Sequence, residues 1–395
     1  MDRGVMGRVD SAVGLDALAL RRIGLALGPP AGALLLANIL WWAAARAAHF
    51  DYFSPATWTR WDSFLYLRIA AHGYTFFSCA RLHIFSPADW CGNAGWFPGY
   101  PTVVWTFERL GLSGPVAGVV ISSAFGFAML ALLWNGFLTQ RRDASSVLAL
   151  GMAAFFFGQV YQRAVFPTSM EIFFLLATVW LAARHQWLAA GLAGAAAAFT
   201  YPIGFLIGAA VATWVVLDRS VRTLRDKAIA IALSGGLTAM GVLAVLIVQH
   251  ADTGVWGAFI KVQRKYHYQG LHLPTAKFLA TVRPLFHHSL GLLQAPRVET
   301  VLVAAFCLCL LAGVVVHRGG LEPLDRLVVS ASVWFWLFPL TVGGDLKLYR
   351  SEALLLPSVL LARRLPVVLQ AIFLLIMVVL AYFMSVVFFQ GKFWH

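Results

Sequence analysis

Between Gly114 and Phe137, and again between Pro366 and Phe388, the chain carries not one charged side chain. Runs of this kind, about 17 to 25 residues long, match the thickness of a hydrocarbon core. Only helices or closed barrels satisfy backbone groups there, and continuous rather than alternating apolarity selects helices. Similar runs fall near 31–48, 146–163, 168–183, 187–200, 202–217, 228–249, 299–316, 327–342 and 351–362. The expected fold is therefore all-α: a polytopic membrane bundle of about eleven spans, forming one domain over residues 1–395. With 60% apolar and 12% charged residues and a mean hydropathy of +0.77, an ordinary soluble domain is excluded, since about a quarter of such a domain is charged.

The net charge of +13 could suggest nucleic acid, but its distribution reads as topology. Arg141-Arg142, Arg184, Arg219 to Lys227, His317-Arg318 with Arg326, and Arg363-Arg364 all fall on the side of the N-terminus, which the orientation rule makes cytoplasmic. No cleavable leader is evident, because Arg3, Arg8, Arg21 and Arg22 are mixed with acids, so the first span is expected to remain as an anchor. Cys307 and Cys309 lie within a span and read as apolar filler. Cys79 and Cys91 fall in the first external loop, where either a disulfide or two free thiols fit.

Two long connections, 49–113 and 250–298, interrupt the spans on the external face, so function is expected there. The first alternates aromatic and polar residues and predicts interfacial helices from Trp61 to His72 and after Pro101. The second is basic, with Lys261, Arg264, Lys265, His267, His272, Lys277, Arg283, His287 and His288 against Asp252. It could hold a lipid phosphate or merely touch anionic headgroups. His287-His288 has no third ligand at metal spacing.

Individual residues carry paired readings. Thr59-x-x-Asp62 fits a capping box, making Asp62 a helix cap; equally, Asp62 is a carboxylate at the membrane boundary, able to take a proton from a hydroxyl. His72 is either a helix-end residue favoured by the dipole or a second proton-handling or hydroxyl-binding group. Glu171 is a first-turn helix acid, or an intramembrane carboxyl kept for function. Arg350 could grip a phosphate or snorkel and pair with Glu352 or Asp345. Trp61 and Tyr66 could stack on a sugar face or sit in the interfacial aromatic belt. The sequence leaves a divalent metal among Asp62, Glu171 and Asp345 open.

Arg60-Trp61-Asp62, Leu67, Ile69-Ala70, His72-Gly73-Tyr74 and then Phe97-Pro98-Gly99-Tyr100-Pro101 resemble the opening signature of the PIG-V, or GPI mannosyltransferase II, family and its bacterial relatives. The resemblance is strong over residues 60–105 and weaker through 166–176, 187–204 and 349–357. It implies a GT-C type glycosyltransferase in a bacterial inner membrane. Such an enzyme moves a hexose, mannose foremost, from a polyprenyl-phosphate donor to a lipid or glycan acceptor outside the cytoplasm. Carried over residue by residue, it implies Asp62 as catalytic base and places the family's acidic and basic positions on Glu171 and Arg350. Trp61, Tyr66, His72, Lys261, Arg264 and Lys265 are substrate-binding candidates from their own chemistry and placement. No Gly-rich nucleotide loop is visible, so a nucleotide-sugar donor is not expected, and the charge distribution speaks against a nucleic-acid partner. Two departures stand out: Thr200-Tyr201-Pro202 where relatives place Arg before Pro, and a longer insertion carrying Cys79 and Cys91. A transporter or flippase of lipid-linked sugars is the rival reading.

Overall fold

A backbone that enters lipid must satisfy its own N–H and C=O groups, and the apolar runs accordingly coil. A computed structural model of the chain describes residues 6–79, 89–138, 143–218, 221, 223–266, 270–286, 291–317, 320–343 and 348–392. It is 78% helical with almost no strand. Arg3, Arg141, Arg142, Arg219, Arg222, His267, His287, His288, Arg318 and Asp345, all weighed above, lie outside the described residues.

Helix α1 (Met6–Ala47) ends in a turn where the Phe50 N–H bonds Ala45 O at 2.8 Å. The first long connection holds α2 (Ser63–His72), strands β1 (Phe76–Ser78) and β2 (Trp90–Gly92), and α3 (Gly99–Arg109). The two strands form an antiparallel hairpin with Phe76 opposite Gly92 and Ser78 opposite Trp90. Next come α4 (Gly114–Leu132), prolonged by a π-helical turn to Leu138, then α5 (Ala144–Ala154), α6 (Thr168–Ala182), α7 (Trp187–Thr200) and α8 (Leu206–Leu217). Helix α9 (Leu224–Ile231) continues through a second π-helical turn into α10 (Leu237–Thr253).

The second long connection holds α11 (Ala258–Tyr266), β3 (Gly270–Leu271) and α12 (Pro274–Val282). After it come α13 (Ala295–Val316), α14 (Pro323–Thr341), β4 (Val342–Gly343), α15 (Leu348–Glu352), α16 (Val359–Ala362) and α17 (Val367–Phe389). β3 pairs antiparallel with β4, so this connection is tied to the segment just before α15.

Every run expected to be apolar helix falls on helix, but not all are long. Among the described residues five helices are long and apolar enough to cross a membrane: Arg22–Ala47, Gly114–Leu138, Leu224–Thr253, Ala295–Val316 and Val367–Phe389. Residues 146–163, expected as one span, do not form one. α5 stops at Ala154, the chain turns at Gly158 in the left-handed region (φ 65°), and a single turn, Gln159–Gln162, precedes Pro167 and α6. Glycine suits that conformation because it has no Cβ to clash. The break is anchored by Gln159, whose side chain takes the Trp41 indole N–H from α1 and donates to Ala381 O and Ser385 Oγ of α17. It thereby holds Tyr161 and Phe166 in place between the bundle and the first connection. One hydrophobic core runs through α1, α4–α8, α13, α14 and α17.

Candidate active site

The approach to Asp62 is built on Trp58. Its indole N–H donates to Tyr52 O at 2.8 Å, and its ring meets Trp41, Tyr52 and Phe389 edge-on. The Val165 N–H bonds Trp58 O at 3.1 Å, fastening this loop to the break before α6. The chain then folds into a tight turn: the Ser63 N–H reaches Arg60 O at 2.9 Å and the Arg60 N–H reaches Ser63 Oγ at 3.1 Å. Within it Trp61 adopts φ 42°, a left-handed conformation that costs a bulky residue about 1–3 kcal/mol. Packing offsets that cost, since the Trp61 ring lies 5.0 Å from Phe388 of α17.

Asp62 occupies the cap position of α2, yet its side chain makes no capping bond. Thr59 does not complete a capping box either; its hydroxyl donates to Pro55 O at 3.0 Å. The carboxylate instead pairs through Oδ2 with the Arg350 guanidinium, a partner 288 residues away. Arg350 thus pairs with Asp62 rather than with Glu352, and Asp345, the other partner its spacing suggested, lies outside the described residues. Asp62 Oδ1 has no partner among the described residues, and the side chain keeps 16% of its surface. Arg350 Nε is buried with no acceptor among the described residues. One carboxylate oxygen and one guanidinium donor are thus uncommitted.

Aromatic rings enclose the pair. The Arg350 guanidinium stands 5.7 Å from Tyr161, 5.4 Å from Phe166 and 5.9 Å from Tyr349, near enough for cation–π attraction. Tyr161 and Tyr349 stack at 6.2 Å, and Tyr66 meets Tyr100 and Phe166 edge-on. Tyr100 donates to Gly118 O at 2.9 Å and lies 3.0 Å from Ser122 Oγ. Burial, with Tyr201 and Asp62 close by, holds the Tyr66 phenol well above its ordinary value, and burial raises Tyr100. Both remain hydrogen-bond donors at neutral pH.

Glu171, in the first turn of α6, is fully buried, and neither carboxyl oxygen has a hydrogen-bond partner among the described residues. Its Oε1 lies 2.7 Å from where a Cβ on Gly204 would stand. Tyr201 is within electrostatic reach of Asp62, Arg350 and Glu171 alike. Tyr201 stands directly before Pro202, where the resembled family has Arg.

The remaining expected site residues lie elsewhere. His72 is exposed at the end of α2. Gly73 beside it has φ 68°, and Asp252 Oδ2 would stand 2.6 Å from a Cβ there. That same oxygen takes the Tyr74 N–H at 2.8 Å, while Asn93 takes the Thr75 N–H at 2.8 Å and donates to Gly73 O at 3.0 Å. The Tyr74 hydroxyl closes onto Trp96 O at 2.8 Å. His-Gly-Tyr and Phe-Pro-Gly-Tyr-Pro therefore lock the two long connections into one frame around α2.

Cys79 and Cys91 form a disulfide across the β1–β2 hairpin. Lys261 stands over the Phe76 and Trp90 rings at 4.7 and 4.8 Å, and Lys265 bonds Asp89 Oδ1 at 2.6 Å and Trp90 O at 2.7 Å. The hydrogen bond from Lys265 lowers the Asp89 carboxyl below its ordinary value. Arg264 is exposed. The contacts of Lys261 and Lys265 are with this hairpin, not with Asp62 or Arg350.

Tyr161, Phe166, Tyr349 and Tyr100 wall the site yet were not singled out from sequence. Aromatics inside apolar runs look like core filler; the one available signal was a tyrosine directly beside Arg350. Among the described residues no group of three His, Cys, Asp or Glu side chains could hold a metal ion. No family model matches the chain, and no curated protein matches it.

Proposed function

We propose that the chain is an inverting membrane glycosyltransferase. It moves a hexose from a polyprenyl-phosphate donor to the hydroxyl of a lipid or glycan acceptor on the non-cytoplasmic face; mannose is the sugar implied by the PIG-V-like motif. One observation carries this reading. A carboxylate at a helix cap forgoes its capping bonds to hold a distant arginine inside an aromatic enclosure, leaving one acceptor and one donor unused. Such an arrangement suits a base and an anion-stabilising cation acting together.

In the mechanism the donor phosphate takes up the unused Arg350 donor and competes for the guanidinium, loosening its hold on Asp62. Asp62 then removes the acceptor hydroxyl proton as that oxygen attacks the anomeric carbon from the side opposite the phosphate. The sugar–oxygen bond breaks, its electron pair leaves on the lipid phosphate, and Arg350 balances the developing charge. In this reading Tyr66 and Trp61 flank the reacting groups, and Glu171 would take part only once a substrate opened its buried surroundings. Lys261, Arg264 and Lys265 would then serve membrane contact rather than the leaving group.

The test supplies purified protein with radiolabelled polyprenyl-phosphate mannose and a membrane lipid extract. A labelled lipid or glycan product, lost in Asp62→Asn with folding retained, supports the reading; normal turnover by that variant overturns it. A second reading, transport of lipid-linked sugars, rests on the burial of Glu171, Glu299 and Glu352, although Glu171 and Glu299 stand near the start of their helices and Glu352 in the short α15. Passage of label across sealed vesicles with no new product would favour it.

A further inference from the structure

α15 sends its two ionisable side chains to different partners. Arg350 reaches Asp62, whereas Glu352 reaches α13, where its Oε2 accepts the Thr300 hydroxyl at 3.3 Å. Glu352 is 6% exposed and the neighbouring Glu299 1% exposed, and the two carboxyls lie within electrostatic reach of each other. The Gly158 backbone N–H lies close enough to act on the Glu299 carboxyl, whose Oε1 has no partner among the described residues. Gly158 in turn rests on α15, since a Cβ there would stand 3.0 Å from Tyr349 O.

This carboxyl pair therefore touches both segments that wall the site: the break presenting Tyr161 and Phe166, and the turn presenting Tyr349 and Arg350. Apolar side chains would fill the same space at less cost, because buried carboxyls lose their hydration. What a carboxyl adds is direction, since its hydrogen bond fixes one orientation of a helix a single turn long. So short a helix has no intrinsic stability, and α15 is set by this bond together with its buried Leu348 and the Tyr349 stack on Tyr161.

We propose that Glu352, backed by Glu299, is a positioning residue that fixes α15 so that the Arg350 guanidinium meets Asp62. Its kinetic consequence rests on the transferase reading; its structural consequence does not. Modification of arginine by phenylglyoxal, followed peptide by peptide by mass spectrometry, reads the exposure of Arg350 without turnover, and Arg163, stacked on Tyr52 and Trp58, serves as internal reference.

In Glu352→Leu the Arg350 modification rate should rise about fivefold or more while Arg163 is unchanged, and kcat should fall about tenfold or more with donor KM within about threefold. Glu352→Gln keeps an acceptor for Thr300 and should restore both values to within about threefold. Thr300→Val, which removes only the donor, should raise Arg350 modification about threefold and carries the test if the leucine variant fails to fold. Arg350 reacting in the Leu and Val variants as in the unsubstituted chain overturns the proposal, as does equal unmasking by the glutamine variant. Arg350 unmasked in a chain that transfers no sugar upholds the positioning role and removes the transferase reading alone.

Discussion

Two clusters of charge in this chain look alike in sequence and differ in what surrounds them. Asp62 and Arg350 meet inside a ring of Tyr66, Tyr161, Phe166 and Tyr349, four-fifths or more removed from solvent. Asp89 and Lys265 meet on the β1–β2 hairpin, with Asp89 45% exposed. An ion pair in water gains little and is screened by salt, while one among rings is felt strongly by any charge that enters. The first pair is therefore the one that the proposed donor phosphate would open, while the second braces a loop.

The sharpest way to break this contrast is at Asp62. Asp62→Asn should cost about 10²–10⁴ in turnover, the usual range for a lost general base, with thermal unfolding little changed. Next, Arg350→Met should cost about 10²–10³ in kcat, whereas Lys265→Met should leave kcat within about twofold; equal losses would erase the distinction between the clusters. Replacing Cys79 and Cys91 by serine removes about 3 kcal/mol of constraint from a loop of this length, so proteases should cut the hairpin readily while transfer persists.

A smaller effect is expected at Gly73→Ala, where the backbone conformation and Asp252 both oppose a Cβ: about 1–2 kcal/mol, read as a fall of a few degrees in Tm. Smallest is the response to acid. The Asp89 carboxyl is held below its ordinary value, so its contribution is present above the unfolded carboxyl pKa, about 4, and fades as pH falls through the lower folded value. Protease resistance of the hairpin, followed across that range and in high salt, should decline slightly in the unsubstituted chain and not at all in Asp89→Asn.

Much of the scaffold was legible, because an apolar run in lipid has only one backbone solution. Helix lengths were less so. The stop at Ala154 depends on Gly158 and on Gln159 bridging α1 and α17, contacts between segments far apart in the chain. Asp62 and Arg350 could each be nominated, since charge is scarce near membrane runs, but not their union across 288 positions. Glu299 was passed over because it opens an apolar run as a helix-start acid commonly does, and Glu352 was considered only as a partner for Arg350. Lys261 and Lys265 drew notice for their charge, yet the rings of Phe76 and Trp90 decide where they sit.

The Trp61 ring is propped by Phe388, near the close of α17. The residue that bends the backbone ahead of the acid is thus supported from the opposite extremity of the polypeptide, so trimming the chain before Phe388 would disturb the first loop even though more than three hundred positions separate the two.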